Sequence, residues 1–273
     1  MNIPIRTTSL LLLGLISALL PLHTAAQDKA CLAGKTVVFL GDSNLWFGGE
    51  DCTDERGWSR WFCEETRPDA VRSFARSGAT WSHNAQTLPD TIEVTELITD
   101  YNVIYNQATR LIGTVERGEF PCPDIIIIAA GTNDAWFQKK RPHVLEISPE
   151  EAFATPWETL RDKPLADILG LATAVRLNCK RLQAAYPSAQ LVLITPLQST
   201  AVRLKDIHRA GDIIEMCADR LRLPCIRMDY DTPIESAREK AVKTYTTDGT
   251  HTNPRGAQAL GHFVAENFKA LFD

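Results

Sequence analysis

The chain has 273 residues, of which 44% are hydrophobic and 23% charged, and its formal net charge is -5. These proportions are typical of a folded globular protein and exclude a disordered or fibrous chain. The sequence carries no basic stripe of the kind that neutralises phosphates, which argues against nucleic acid as the main partner. We expect instead a small substrate with little or no charge.

The first 26 residues differ in composition from the rest. Arg6 supplies a positive charge, an apolar run of about 14 residues follows, and residues 24–26 (TAA) are small. This pattern predicts a secretory signal peptide at 1–26, because the apolar run is shorter than the roughly 20 residues that span a bilayer. A membrane anchor is the alternative. We expect residues 27–273 to form a single domain, secreted or periplasmic, with no stable membrane insertion after cleavage.

Beyond residue 26, short apolar segments alternate with segments of helical periodicity. The runs at 35–40, 124–130 and 190–195 are rich in β-branched residues and almost unbroken, as in parallel strands covered on both faces. Weaker strands are predicted at 70–75 and 224–229. Helices are predicted at 58–65, 93–115, 165–185, 204–221 and 254–272. This alternation predicts a three-layer α/β/α sandwich around a flavodoxin-like parallel sheet of about five strands.

Two stretches interrupt this plan. Residues 138–164 are polar, contain several prolines and lack a clear period, and residues 229–247 are irregular ahead of the final helix. Because 138–164 follows a strand end and 229–247 precedes the final helix, both could cover a site, or both could be ordinary surface loops.

The sequence contains seven cysteines, and export would place them where disulfides persist. The odd number leaves at least one unpaired. The shortest plausible loops join Cys52 to Cys63 and Cys217 to Cys225, while buried free thiols are the alternative. There is no CxxC and no His/Cys cluster at zinc-ligand spacing, so we predict neither a metal site nor a cofactor.

Three polar clusters stand where predicted strands end or the last helix begins. Residues 41–44 (GDSN) follow the first strand, residues 131–134 (GTND) follow the third, and residues 248–251 (DGTH) precede the final helix. Open parallel sheets bind ligands at the carboxyl ends of their strands. A carboxylate three residues before a histidine can hold one imidazole nitrogen while the other faces a nucleophile. Each cluster alone could be only a turn or a helix cap.

Together, the blocks VVFLGDSN, RSGAT, AAGTNDAW and TTDGTHTN resemble those of the SGNH (GDSL-type) hydrolases in type and order, over roughly residues 36–261. The resemblance implies a serine esterase that works through an acyl-enzyme, with Ser43, Asp248 and His251 as its catalytic triad. It also implies an oxyanion hole made by the backbone N–H groups of Ser43 and Gly78 and the side-chain amide of Asn133.

Several neighbours of these motifs also bear on the site. Asn44 stands where GDSL-type members commonly carry leucine, and we interpret this departure as a change in local packing more than in chemistry. We expect Asp42 and Asp134 to tie loops together through hydrogen bonds. His83 and Arg255 could contact substrate, or both could be ordinary loop residues.

Three tryptophans bear on the substrate. Trp46, Trp81 and Trp136 each lie three residues beyond a proposed site residue, so their indoles could surround one pocket. Aromatic faces suit sugar rings or apolar acyl groups, and core packing is the alternative. Together with export and the lack of an extended apolar lid, this pattern favours an O-acetylated carbohydrate as the substrate.

Other functions fit the same sequence. A lipase, a lysophospholipase or a thioesterase would share the fold. A non-catalytic carbohydrate-binding protein on a hydrolase scaffold would keep the same residues around a blocked site. A flavodoxin-like nucleotide or flavin binder would share the sheet, but the sequence lacks GxGxxG and the P-loop motif.

Overall fold

Five parallel strands form one sheet in the computed structural model, which describes residues 31–85, 87 and 102–272. The strands lie in the order β2-β1-β3-β4-β5. The predicted five-stranded parallel α/β fold is confirmed. The predicted signal peptide at 1–26 lies outside the described residues. The strands are β1 Thr36–Gly41, β2 Ala70–Ser73, β3 Ile125–Ala129, β4 Gln190–Ile194 and β5 Cys225–Ile226.

The helices cover both faces of this sheet. In chain order they are α1 Ser43–Trp46, α2 Trp58–Thr66, α3 Ile104–Glu116, α4 Thr132–Trp136, α5 Pro149–Ala154, α6 Trp157–Arg161, α7 Leu171–Ala185, α8 Leu204–Leu221, α9 Ser236–Ala241 and α10 Pro254–Ala270. Within the described ranges, none of them combines the length and apolar character that a membrane crossing requires.

Alternate residues of the buried strands pack into two separate hydrophobic cores, one on each face of the sheet. Val38 and Leu40 of β1 pack on one side with α3, α7 and α8. Val37 and Phe39 pack on the other side with α2 and α10. Because both faces are covered, the central strands read as continuous apolar runs, which is why the sequence reveals them clearly.

The predicted helix boundaries hold in some places and fail in others. The helix predicted at 204–221 matches α8, whereas the helix predicted from 165 begins only at Leu171. Pro164 starts a single 3-10 turn, and the extended backbone of Gly170 then caps α7. The helix predicted at 93–115 corresponds to α3, which begins only at Ile104 after the extended Val103; residues 88–101 lie outside the described part of the chain.

The stretches predicted to be irregular contain short helices. In 138–164, the side chain of Ser148 caps α5 and Pro149 occupies its first position. Thr155 is extended before Pro156, which separates α5 from α6. In 229–247, α9 forms immediately before the segment that carries the DGTH motif. Both stretches are therefore more ordered than their composition indicates.

All seven cysteines lie in the described residues. Neither Cys217 with Cys225 nor Cys52 with Cys63 is bonded. The neighbouring Cys52 thiol, together with burial, raises the pKa of the Cys63 thiol far above its usual range. Of these two pairs, Cys52 and Cys217 are buried free thiols, and Cys63 and Cys225 are half-buried ones.

Candidate active site

The turn after β1 places Ser43 at the carboxyl edge of the sheet. Asp42 is the N-cap of α1, and its carboxylate accepts a hydrogen bond from the Asn44 N–H at 3.1 Å. β2 lies on one side of β1 and β3 on the other, so the order in which strands are added reverses between β1 and β3. Open α/β sheets form a ligand crevice at such a point. The Ser43 hydroxyl lies 3.0 Å from Nε2 of His251.

The DGTH motif holds the His251 imidazole from its far side. Nδ1 of His251 lies 2.7 Å from Oδ2 of Asp248, and Oδ1 of Asp248 accepts hydrogen bonds from the Thr250 and His251 N–H groups. Burial disfavours the charged carboxylate, but the hydrogen bonds from His251 and Thr250 outweigh it and lower the pKa of Asp248. A charged Asp248 keeps the proton on Nδ1, so Nε2 is free to accept the proton of Ser43.

Asn44 joins the turn that carries Ser43 to the segment that carries His251. Its side chain is 4% exposed and contacts the residues before and after His251 in the chain. Nδ2 donates to the Thr250 carbonyl at 3.3 Å, and Oδ1 accepts from the Thr252 N–H at 3.1 Å. This corrects the interpretation of Asn44 as mainly a packing change, because a leucine could make neither hydrogen bond.

Residues just beyond α1 also contact the imidazole. The Phe47 ring meets His251 edge to face, with centroids 5.1 Å apart and planes at 81°. The Arg56 guanidinium lies over Phe47, and the Arg56 carbonyl accepts from the Thr252 hydroxyl at 2.8 Å. These contacts hold the ring orientation that the Ser43 hydrogen bond requires.

The segment after β4 supports the DGTH motif from outside. The Thr200 N–H donates to the Gly249 carbonyl at 2.9 Å, and the hydroxyls of Ser199 and Thr250 are 2.7 Å apart. Gly249 has φ +92°, and a Cβ there would lie 2.0 Å from Oγ1 of Thr200. Only glycine fits this position without rearrangement.

A buried carboxylate organises the approach to the motif. Glu239 on α9 is 1% exposed and accepts hydrogen bonds from the N–H groups of Thr244, Tyr245 and Thr246 and from the Thr246 hydroxyl. The Thr246 hydroxyl in turn accepts from the Gly249 N–H at 3.1 Å. The irregular backbone before Asp248 is thus fixed by side-chain hydrogen bonds in place of the backbone hydrogen bonds of a β-sheet.

Gln107 secures the end of β1. Its amide, 0% exposed, pairs with both backbone groups of Gly41: Oε1 accepts from the N–H and Nε2 donates to the carbonyl, each at 2.8 Å. The register of β2 on β1 ends at Phe39 with Ser73, two residues before Gly41, and the Gly41 carbonyl also accepts from the Arg76 N–H at 3.1 Å. The pairing fixes the backbone two residues before Ser43.

The three predicted oxyanion donors lie on adjoining turns. The N–H groups of Ser43 and Gly78 donate to no acceptor within the described residues, and Gly78 has φ +74°. Asn133 is 7% exposed, and its Nδ2 donates to the Ala79 carbonyl at 3.0 Å. A primary amide has two N–H bonds, so one remains for a further acceptor.

Asp134 ties these turns together. Its carboxylate, fully buried, accepts hydrogen bonds from the Trp81 N–H at 2.9 Å, the Ser82 N–H at 2.9 Å and the Ser82 hydroxyl at 2.6 Å. Burial raises its pKa in spite of these bonds, and burial raises the pKa of Asp42 to about 6. Both aspartates make the loop hydrogen bonds expected of them.

The structure does not gather the three tryptophans around one pocket. Trp81 is 0% exposed, and its indole N–H donates to the Ala130 carbonyl at 3.2 Å, so the prediction that it lines a pocket is wrong. Trp46 is partly buried beneath the Arg76 guanidinium, 4.8 Å from its ring centroid. Trp136 remains exposed at 41%.

His83 and Arg255 lie apart from the triad contacts. His83 is 0% exposed, its Nδ1 pairs with the Leu165 carbonyl at 2.8 Å, and burial lowers its pKa to about 4. It is a neutral core histidine at physiological pH. Arg255 is exposed and lies over the Tyr245 ring. In the part of the chain that the structure describes, His, Cys, Asp and Glu form no group that could hold a metal ion.

Comparison with known sequences gives the family of the chain. A sequence model of the GDSL-like lipase/acylhydrolase family matches residues 39–259. The chain belongs to this family. No curated protein matches the sequence.

Solved structures share the fold of this GDSL hydrolase. A protein of Bacteroides uniformis assigned as a GDSL-like lipase is 18% identical, with 86% of this chain and 96% of that chain covered and a TM-score of 0.54. A similarly assigned protein of Bacteroides ovatus is 16% identical, with coverages of 86% and 98% and a TM-score of 0.53. The acetyl xylan esterase AlAXEase is 16% identical, with coverages of 87% and 100% and a TM-score of 0.51.

Three supporting residues of this GDSL hydrolase escaped the sequence analysis. Gln107 and Glu239 belong to no motif, and their backbone partners cannot be identified from composition or period. Asn44 did carry a signal, since a polar amide replaces the apolar residue common at that position, but its partners lie more than 200 residues away along the chain.

Proposed function

We propose that this GDSL hydrolase is an exported serine esterase that cleaves a carboxylic ester through an acyl-enzyme. The observation that carries the proposal is the continuous hydrogen-bonded row from Ser43 to His251 to Asp248, with distances of 3.0 and 2.7 Å. A nucleophile, a base and a group that orients the base are the three parts that covalent acyl transfer needs. Export follows from the composition of residues 1–26.

The triad would work in two half-reactions. Oγ of Ser43 attacks the ester carbonyl carbon while Nε2 of His251 takes its proton, and Asp248 stabilises the imidazolium. The imidazolium then gives the proton to the departing alcohol oxygen, the ester C–O bond breaks, and the acyl group stays on Ser43. Water attacks this acyl-enzyme with His251 again as base, and the acid leaves as Ser43 regains its proton.

Three donors would stabilise the negative oxygen of each tetrahedral intermediate. Two are the backbone N–H groups of Ser43 and Gly78, which lack acceptors among the described residues. The third is the remaining amide N–H of Asn133. Preorganised donors of this kind usually make a large contribution to acyl-transfer rates, because they need no rearrangement when charge develops.

We propose an O-acetylated carbohydrate as the substrate. The predicted export brings the enzyme to extracellular or periplasmic polysaccharides, and an exposed tryptophan one helical turn beyond Asn133 offers a face for a sugar ring. The name of AlAXEase shows that a protein of similar fold acts on an acetylated xylan.

The test is hydrolysis of p-nitrophenyl acetate by the protein from residue 27, combined with fluorophosphonate labelling and mass spectrometry. Wild type should turn over and carry the label on Ser43, and Ser43→Ala should lose both. Ser188→Ala is the matched control, because Ser188 is an exposed serine outside the site. Absence of turnover and of label in the folded wild-type protein would rule out the esterase proposal.

A further inference from the structure

A cleft of about 360 Å³ is lined by two segments that follow Asn133 and Thr200 along the chain. One wall is formed by Trp136 at the end of α4, one helical turn after Asn133. The opposite wall is formed by Val202, Arg203 and Asp206, just beyond Thr200, which is hydrogen-bonded to the DGTH motif. We call this space the Trp136 cleft. Its lining segments thus follow a proposed oxyanion donor, Asn133, and a residue hydrogen-bonded to the segment that carries His251, and its volume is within the range of small-molecule sites.

The exposure of Trp136 requires an explanation. All six tryptophans lie in the described residues, and Trp136 is the one classed as exposed, with 41% of its surface accessible. Large aromatic side chains normally bury most of their area, and those left exposed in a concave site are typical of ligand binding. Small apolar side chains at Ala135 and Ala201 leave the space in front of the cleft open.

Polar groups of both kinds face the same space. Nε of Arg203 donates to Oδ2 of Asp206 at 2.5 Å, and the two side chains are 68% and 11% exposed. This pair offers guanidinium N–H donors beside a carboxylate acceptor, and Lys139 adds another donor. An acyl chain in the cleft would desolvate these charges without compensation. A sugar ring would present its C–H face to the indole and its hydroxyls to the charged pair.

We propose that the Trp136 cleft is a saccharide subsite that binds the alcohol portion of the ester, with Trp136 as the stacking platform and the Arg203–Asp206 pair as hydroxyl ligands. The proposal rests on the esterase function above and adds the part of the substrate that sets specificity. It places the acetyl group at Ser43 and the saccharide outside, against α4 and the start of α8.

The test compares two kinds of substrate that carry the same acetyl group. p-Nitrophenyl acetate has no sugar, whereas acetylated xylo-oligosaccharides and glucose pentaacetate do. Trp136→Ala should raise KM for the acetylated saccharides about tenfold, while kcat/KM for p-nitrophenyl acetate changes less than twofold. Arg203→Gln should also raise KM for the acetylated saccharides, because it removes the charged donor and the partner that holds the Asp206 carboxylate in place.

Arg238→Gln is the matched control for Arg203. Arg238 is 78% exposed and is likewise paired with an acid three residues away, Glu235, but it lies outside the cleft. It should leave both kinds of substrate unaffected. Trp157→Ala on α6 is the control for loss of a half-buried indole outside the cleft.

The outcomes separate the two proposals. Hydrolysis of p-nitrophenyl acetate with no turnover of either acetylated saccharide would overturn the subsite and leave the esterase standing. Equal effects of Trp136→Ala on both kinds of substrate would also overturn the subsite. So would a selective loss of activity of Trp136→Ala on p-nitrophenyl esters of longer acids, because the cleft would then bind the acyl chain. Absence of any ester hydrolysis and of Ser43 labelling would overturn both proposals.

Discussion

Asn44→Leu is the substitution that most directly tests how the base is held beside the nucleophile. Leucine has a similar volume but can form hydrogen bonds with neither the Thr250 carbonyl nor the Thr252 N–H. Each lost bond removes about 0.5–1.5 kcal/mol of net stability, and each buried group left without a partner costs about 1–3 kcal/mol. Both partners lie in one loop that can relax after the substitution, so the separate costs do not add in full. We expect the free energy of unfolding to fall by about 2–3 kcal/mol.

The effect on chemistry should exceed the effect of a general loss of stability. The two bonds bracket His251, so their loss lets the imidazole move away from the Ser43 hydroxyl. A displacement of about 1 Å can cost roughly 100-fold in rate, and we expect kcat for p-nitrophenyl acetate to fall about 10- to 100-fold. The rate of fluorophosphonate labelling of Ser43 should fall in parallel, since both depend on the same base.

Asn178→Leu provides the matched control. Asn178 is likewise buried and donates to a backbone carbonyl, that of Ala174, at 2.9 Å, but it lies within α7 away from the site. It should lower stability while kcat and the labelling rate stay within twofold of wild type. If Asn44→Leu behaves in the same way, losing stability but labelling Ser43 at the wild-type rate, Asn44 does not position the base.

Three further substitutions test other parts of the site. Asn133→Ala should lower kcat about 100- to 1,000-fold with little change in KM, and near-normal turnover would remove Asn133 from the oxyanion hole. Gln107→Glu keeps the acceptor for the Gly41 N–H but loses the donor to its carbonyl, so we expect a lower melting temperature and a several-fold lower kcat. Gln107→Leu should lower both further, and the reverse ranking would contradict the role of the pairing with Gly41. Burial raises the pKa of Asp42 from 3.8 to about 6, so its protonation stabilises the folded state at low pH and this contribution is lost as pH rises from 3.8 through 6. Asp42→Asn should therefore become more stable relative to wild type across that window in urea unfolding, and a constant difference would count against the shift.

The strands could be predicted because their burial is symmetrical. β1, β3 and β4 are covered on both faces, so apolar residues run without interruption and stand out against any helical period. α8 was predicted with its correct ends because its apolar stripe is long and regular. α5 and α6 escaped because each is only a few residues long and depends on local caps and prolines rather than on a period.

The orientation of individual side chains was harder to predict than the motifs. Trp81 and Trp136 stand at the same spacing from their motif residues, yet one is in the core and the other is exposed. The difference arises because Asp134 binds the backbone at 81–82 and draws that segment inward. A contact of this kind joins residues that are about 50 positions apart, and spacing within a motif carries no information about it.

The hydrogen bond between Ser43 and His251 joins residues 208 positions apart, and this separation has a consequence for synthesis. At about 5–20 residues per second, the base is made on the order of 10–40 s after the nucleophile. A nascent or truncated chain that ends before 251 holds the serine without the group that activates it. Ester hydrolysis by this route would therefore report that the chain has been completed as well as folded.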